Sequence, residues 1–488
     1  MSMKKDLRLS SIKVIGLILG FGLQLIFTKV IGMKEYGLYV LFASWTSFLS
    51  LILIMGYDKF IIKQLSFYYI QKQSGKFKTT LNKLLFYVTI NSALFLLVAF
   101  LIPQHVLVNS FLPKELLRSS WLIIAGGTVV FTLFDLLGKV LSAVQKVGLS
   151  YMRSEIMYKC IWFIVVLGLF FFLRQSIGIN IIIVGVIVAQ VLTLLILLIF
   201  VDREKIQQFI ALKKEDIVIG KENYVFFFTS LNYYIIAQVD KLVIGKYESL
   251  EMLGVYGLVV TLISIVSFST IVYQRFLPKI SSYIITDKIA ELEQDFKTVS
   301  KNSLLIALPF IMFLIIFTDD VLLFFGERFT AGTPILRILI WGQLTNFLTG
   351  PNGNILVNGR HSKIDFINSI VIVLLTGAMI FFGYKYFGVL GIAAATSIGV
   401  MLINLVKVIE VRFFYKIFPY EWDNLFLIML TFLAFYSVSR LHIGFDNLLL
   451  RLAANFALGL MTASVAIISF YYLKAGTRQR LKVGEVVK

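Results

Sequence analysis

Several ionisable side chains stand inside or at the ends of long apolar runs, where a charge is costly and needs a partner or a ligand. Lys29 and Lys241 occupy matching places in two copies of a short motif, TKVIG at 28–32 and DKLVIG at 240–245. Two ammonium groups so placed can grip a diphosphate between them, or each can snorkel to the outer interface and touch lipid phosphate. A second matched pair, Lys59 and Arg275, lies at the cytoplasmic ends of two other runs, in YDKF at 57–60 and YQRF at 273–276. It can receive the same anion on entry or simply anchor the helices. Asp240 adjoins Lys241 and either pairs with a lysine or takes a coupling cation. Glu155 and Lys159 are four apart, hence on one helical face; they either neutralise each other or form a titrating pair that couples transport to protons. Asp135 and Lys139 repeat that spacing one run earlier.

None of this is the chemistry of a catalyst. The one cysteine, Cys160, excludes an internal disulfide, and His105, His361 and His442 fall in three different loops, so a metal site is not expected and no cofactor is implied. The loops on the far side are short, the longest running from about 104 to 119, too short for an outer catalytic domain.

The elements that must hold these charges are apolar. Of 488 residues, 59% are hydrophobic and 15% charged, far from the balance of a soluble domain. A helical crossing needs about 20 mostly apolar residues. By that measure about fourteen runs qualify: 10–31, 38–56, 84–103, 120–143, 151–173, 178–201, 223–245, 255–274, 302–318, 334–357, 364–383, 387–409, 424–439 and 448–473. Backbone groups in hydrocarbon must pair within their own segment, and the runs are longer than barrel strands, so the fold class is all-α. With the N-terminus in the cytoplasm, roughly 33 of the 46 basic residues fall on the cytoplasmic side, which also places the C-terminus there. The net charge of +19 then faces an anionic leaflet and calls for no nucleic acid. The first run lacks a small-residue cleavage site and reads as an uncleaved signal anchor.

The chain repeats itself at offsets of about 212 to 220 residues: besides the two motifs above, EYGLYV at 35–40 matches VYGLVV at 255–260, and the turn at Gln145 and Lys146 matches Asn358 to Arg360. Six runs per copy give both halves one orientation, which predicts lobes at 1–215 and 216–415, with 416–488 as two added runs and a basic tail. Parallel repeats of this kind build transporters with a midplane site between lobes.

GLILGFGLQ at 16–24, the EYGLY turn, DKLVIG, LPKIS at 277–281, FGERF at 325–329 and the NGRHSK turn together resemble the Wzx-type oligosaccharide flippases, polysaccharide-biosynthesis members of the MOP superfamily that also holds the multidrug extruders (MATE) and the lipid II flippase. The resemblance implies a MATE-like bundle of about fourteen helices that carries undecaprenyl-diphosphate-linked O-antigen or capsule repeat units to the outer leaflet of a bacterial inner membrane. It also implies a glycan polymerase with its chain-length machinery as downstream partners. The alternatives are a multidrug or cation antiporter of the same superfamily, and a polytopic glycan polymerase or ligase. The residues add a physical demand: each unpaired polar group taken into hydrocarbon costs several kcal/mol, so a diphosphate crosses only through a hydrated cationic hollow. Amides in the runs, among them Gln24, Asn91, Asn346, Asn368 and Asn404, bind sugar hydroxyls or another helix, and Trp45, Trp341, Tyr233 and Tyr234 can stack on sugar rings. Gly16, Gly20 and the segment 388–399 read as close helix packing.

Overall fold

A computed structural model describes residues 3–55, 57–103, 105–106, 118–173, 179–200, 221–358, 362–441 and 445–486. The described elements are helices, as the all-α reading requires. In order they are α1 (Met3–Ile26), α2 (Met33–Ile54), α3 (Tyr57–Ile70), α4 (Ser74–Leu101), α5 (Arg118–Ala143), α6 (Val147–Tyr151), α7 (Tyr158–Leu173), α8 (Ile179–Phe200), α9 (Lys221–Tyr247) and α10 (Leu250–Ile265). There follow α11 (Leu277–Ile285), α12 (Ile289–Ile316), α13 (Thr318–Phe325), α14 (Thr333–Thr349), α15 (Asn352–Asn358), α16 (Ser362–Tyr415), α17 (Trp422–Ser439) and α18 (Leu448–Val486).

Eight described helical segments are long and apolar enough to cross a membrane, and 181–197 and 423–439 are shorter apolar helices. One of the eight, 366–415, has 50 residues, more than twice what one crossing needs. It bends at Gly388, whose φ of 58° is open to glycine, and so holds the two runs expected at 364–383 and 387–409. Large apolar side chains face outward, Leu374 at 69% exposed, Phe387 at 74% and Phe413 at 76%. In water such a surface would aggregate; against acyl chains it is the required solvent-facing side.

The chain divides into two compact units, Met1–Leu258 and Val259–Lys488. In the first, α2 packs against α5, α8 and α9 and buries Leu38, Leu41, Phe42 and Trp45. A cluster of Leu65, Phe77, Leu81, Leu84, Val88 and Leu136 joins α3, α4 and α5. Side chains that cross between helices meet backbone carbonyls: Ser66 donates to Ala143 at 2.9 Å, Asn91 to Leu53 at 3.1 Å, and the Trp121 indole to Ala99 at 3.0 Å.

In the second unit α12 packs against α14 and α17, while α14 and α15 pack on α16. Phe276, Ile280, Phe296, Ile355, Leu356 and Val411 form the core at one end. At that end, beyond the crossings, Asp295 accepts from Lys279 and from Tyr283, each at 2.9 Å, and this pushes the pKa of both donors up. The expected run 334–357 is broken: Gly350 adopts φ 64° and Pro351 follows, which ends α14 and starts α15. Asn404 of α16 splints the break, donating to Asn346 at 2.7 Å and accepting from Thr349 at 3.1 Å and, through its carbonyl, from Asn352 at 3.3 Å. The glycine-rich stretch packs as expected, since a methyl on Gly399 would stand 2.5 Å from Thr376.

The last two helices are fastened to α12 and α13 by charge and aromatic packing. Arg451 bonds Asp320 at 2.8 Å, and at the other end Lys474 bonds both oxygens of Asp423 at 2.5 Å with Lys301 3.6 Å away. Phe456 packs on Phe310, Phe313 and Phe435. Asp423 is 8% exposed, so removing its charge leaves two ammonium groups facing each other. Asp423→Asn is expected to lower stability by about 1–3 kcal/mol, read as a fall of several degrees in thermal unfolding of the detergent-solubilised protein.

Candidate functional site

Two charged constellations lie in the first unit, the second of them at a local departure from α-helix. The first is on α9, in the turns before its end at Tyr247. Asp240 and Lys241 are adjacent on α9, and both are buried, at 3% and 9% exposed. Asp240 is already engaged: one oxygen accepts from the Tyr256 hydroxyl at 2.7 Å and the other from the backbone N–H of Lys241 at 2.7 Å. Among the described residues the Lys241 ammonium makes no hydrogen bond, and it feels Asp240 through space. The ammonium beside this occupied carboxylate retains its hydrogen-bond donors. Lys29, its counterpart in the repeat, is exposed within a π-helical turn, Phe27–Ile31, that closes α1. The turn ends at Gly32, whose φ of 106° suits only glycine.

The second constellation is where α1 meets α7. A π-helical segment, Met152–Met157, links α6 to α7 and carries Arg153 and Glu155 on its widened turn. Lys159 donates to Glu155 at 2.7 Å and to the backbone carbonyl of Gly16 at 2.7 Å. The fit is backbone-close: a methyl on Gly16 would stand 2.6 Å from the Cβ and a carboxylate oxygen of Glu155, and one on Gly20 3.4 Å from the Lys159 ammonium. The glycines at 16 and 20 and the charges at 155 and 159 therefore form one ladder, four residues apart on each helix. Lys13 lies over the ring of Tyr151 at 4.9 Å and is near enough to feel Glu155. On the other side of the π turn Arg153 is buried over the Phe134 ring at 3.9 Å, donates to the Phe134 carbonyl, and feels Asp135. Asp135 pairs with Lys139 at 2.6 Å.

The structure thus joins Asp240 with Lys241, Glu155 with Lys159, and Asp135 with Lys139, as spacing alone allows. The backbones of Lys59 and Arg275 are helical, in α3 and in a 3-10 segment that continues α10, while their side chains lie outside the described residues. Of the aromatic candidates Trp45 is buried, Trp341 is 51% exposed, and the side chain of Tyr233 lies outside the described residues. Sequence reading missed Tyr256, which holds Asp240, and Glu410, 7% exposed on α16, which accepts from Asn368. Glu410 sits in a basic segment of the sequence, and its place among apolar neighbours in a continuing helix is the signal that marks it. Among the described residues no cluster of His, Cys, Asp and Glu could hold a metal ion.

Comparison with known proteins places these features. The solved structure titled lipid II flippase MurJ, inward closed conformation, superposes with a TM-score of 0.68 at 15% identity, covering 97% of this chain and all of that one. The solved structure of the MATE multidrug transporter DinF-BH superposes with a TM-score of 0.61 at 15% identity, covering 86% of this chain and 98% of that one. The likeness is one of fold: this chain and both of those proteins share one arrangement of helices. Teichuronic acid biosynthesis protein TuaB of Bacillus subtilis (strain 168) is 25% identical over 148 residues, a match that spans 30% of either chain. A family model described as polysaccharide biosynthesis protein matches residues 2–284, more than half of the sequence, and the chain belongs to that family.

Proposed function

We propose that this protein flips an undecaprenyl-diphosphate-linked oligosaccharide repeat unit from the cytoplasmic to the outer leaflet by alternating access, in the synthesis of a surface polysaccharide such as O-antigen or capsule. The observation that carries this reading is Lys241, a buried ammonium on α9 whose neighbouring carboxylate is taken by Tyr256. Lys29 at the matching place in the repeat, and Lys59 and Arg275 at the cytoplasmic ends, complete a cationic path for the diphosphate. The family, the name of the teichuronic acid relative, and a fold shared with a lipid II flippase all support it. The bilayer is the bacterial inner membrane, both termini are cytoplasmic, and the lobes follow the repeat at 1–215 and 216–415, with a glycan polymerase and its chain-length machinery receiving the product.

The membrane potential supplies about 2.3 kcal/mol per negative charge moved outward per 100 mV, and Glu155 with Lys159 adds proton coupling. A drug-extruding relative of the same fold would need a free acidic group for cationic drugs; Asp240 is not free. Depleting the protein should leave the lipid-linked repeat unit in the inner leaflet and strip the glycan from the surface. Normal surface glycan after depletion would refute the assignment.

A further inference from the structure

At one end of the first unit the helices are longer than a bilayer needs. α4 has 28 residues, about 42 Å at the usual rise per residue, against roughly 30 Å of hydrocarbon. Its apolar run begins only at Leu84, so residues 74–83 stand outside the acyl chains and the turn before them lies about 15 Å out. The headgroup layer adds only about 5–8 Å on each side. On the topology proposed above, the tip where α3 turns into α4 therefore projects through the headgroups into the cytoplasm.

That tip exposes apolar and basic groups together. Phe67, Tyr69 and Ile70, in the last turn of α3, are 54%, 44% and 60% exposed. The Tyr69 ring lies 6.3 Å from that of Phe77, which is buried and steadies it. Lys72 and Lys76 are exposed and Lys78 is half-buried. From 59 to 83 the sequence has six lysines and no carboxylate. The turn itself does not demand them. Lys72 holds φ 53° and the backbone N–H of Gln73 donates to the Tyr68 carbonyl at 2.9 Å; at the matching place in the repeat Asp287 holds φ 55° and the N–H of Lys288 donates to the Tyr283 carbonyl at 2.9 Å. There the exposed groups include Asp287 and Glu291, so one turn geometry carries opposite charge in its two copies.

Lipid headgroups stop short of the α3–α4 tip, and the diphosphate of a lipid-linked substrate stays at their level. What reaches further into water is the sugar end of such a substrate. Exposed rings cover the C–H face of a pyranose at low entropic cost, and ammonium groups beside them bond a carboxylate borne on that sugar. We propose that the α3–α4 tip is a site that reads the sugar end of the cargo and favours a repeat unit ending in a carboxylated sugar, with Phe67 and Tyr69 as stacking faces and Lys72, Lys76 and Lys78 as partners of the carboxylate. This rests on the flippase reading and names the chemical class of its glycan.

The test uses the full chain in phosphatidylcholine vesicles and two probes that share one undecaprenyl diphosphate and differ in the terminal sugar, glucuronic acid in one and glucose in the other. At the same low concentration the uronate-ended probe should cross about tenfold faster, which a few exposed ion pairs supply. The preference should shrink as salt rises to about 1 M, where the Debye length is about 3 Å. Lys72→Gln, Lys76→Gln and Lys78→Gln together should bring the ratio of the two rates near one, whereas a mere loss of folded protein would lower both rates and keep their ratio. Phe67→Trp adds a reporter, read as the difference in emission from the unchanged protein. It should shift with a soluble, phosphate-free trisaccharide of glucuronic acid and escape quenching by phospholipid brominated on its acyl chains. Quenching by that lipid, or the same ratio of rates in the triple variant as in the unchanged protein, overturns the site. A shift with the trisaccharide in vesicles that move neither probe would keep the site and remove the flippase reading instead.

Discussion

Lys241→Gln is expected to reduce export of the lipid-linked glycan by about 10- to 100-fold, and Lys29→Gln with Lys241→Gln to abolish it, while the amount of protein in the membrane stays normal. The reasoning is electrostatic. Lys241 is buried on α9 and Asp240 is bonded to Tyr256, so the ammonium keeps its capacity to donate to an anion. A hydrogen bond to a charged group is worth roughly 1.5–3 kcal/mol, and if it is made as the head group crosses, its loss appears in the rate. The fold should survive, since glutamine is nearly isosteric with the first part of lysine and carries no charge to bury. Comparing surface glycan with immunoblotted membrane protein separates the two effects. Normal export by the double variant would return both lysines to the role of interface anchors.

Glu155→Gln is expected to retain export driven by voltage and to lose the part driven by a pH gradient. Lys159 bridges Glu155 on the π turn to the Gly16 carbonyl of α1, with Lys13 near, so a proton on Glu155 weakens the hold on Lys159 and loosens the contact between α1 and α7. One pH unit across the membrane is worth about 1.4 kcal/mol per proton, close to a tenfold gain in outward accumulation per unit. Proteoliposomes with an imposed gradient at clamped potential measure it. A gain in Glu155→Gln equal to that of the unchanged protein would leave Glu155 as a helix-to-helix bridge only. Glu155→Leu should do worse than Glu155→Gln, because it strands the Lys159 ammonium against the Gly16 carbonyl.

Much of the fold could be read from composition, because length and hydropathy decide what a bilayer accepts. The run 448–473 is a helix in the structure, and 364–409 is two crossings joined at the glycine that begins the small-residue stretch. Local breaks were less visible. Gly350–Pro351 interrupts a run whose hydropathy is continuous, and the π turns at 27–31 and 152–157 depend on tertiary partners that no local pattern reports. The charges were legible one by one, and their partners were not. Gly16 and Gly20 looked like packing, Glu155 and Lys159 looked like an ion pair, and only the apposition of α1 with α7 makes them a single ladder. Tyr256 was one aromatic among the 15% of residues that are aromatic, and its bond to Asp240 depends on the turn that folds α10 back along α9.

The central claim is that the chain carries an anionic glycolipid head across the bilayer, and the purified full-length protein in liposomes tests it most directly. Undecaprenyl-diphosphate-linked sugar loaded in the leaflet corresponding to the cytoplasm should become accessible to a membrane-impermeant sugar-modifying reagent on the other side, faster with the protein than without, and faster still under an outside-positive potential. Equal accessibility with and without protein, at a reconstitution level confirmed by immunoblot, would contradict the account.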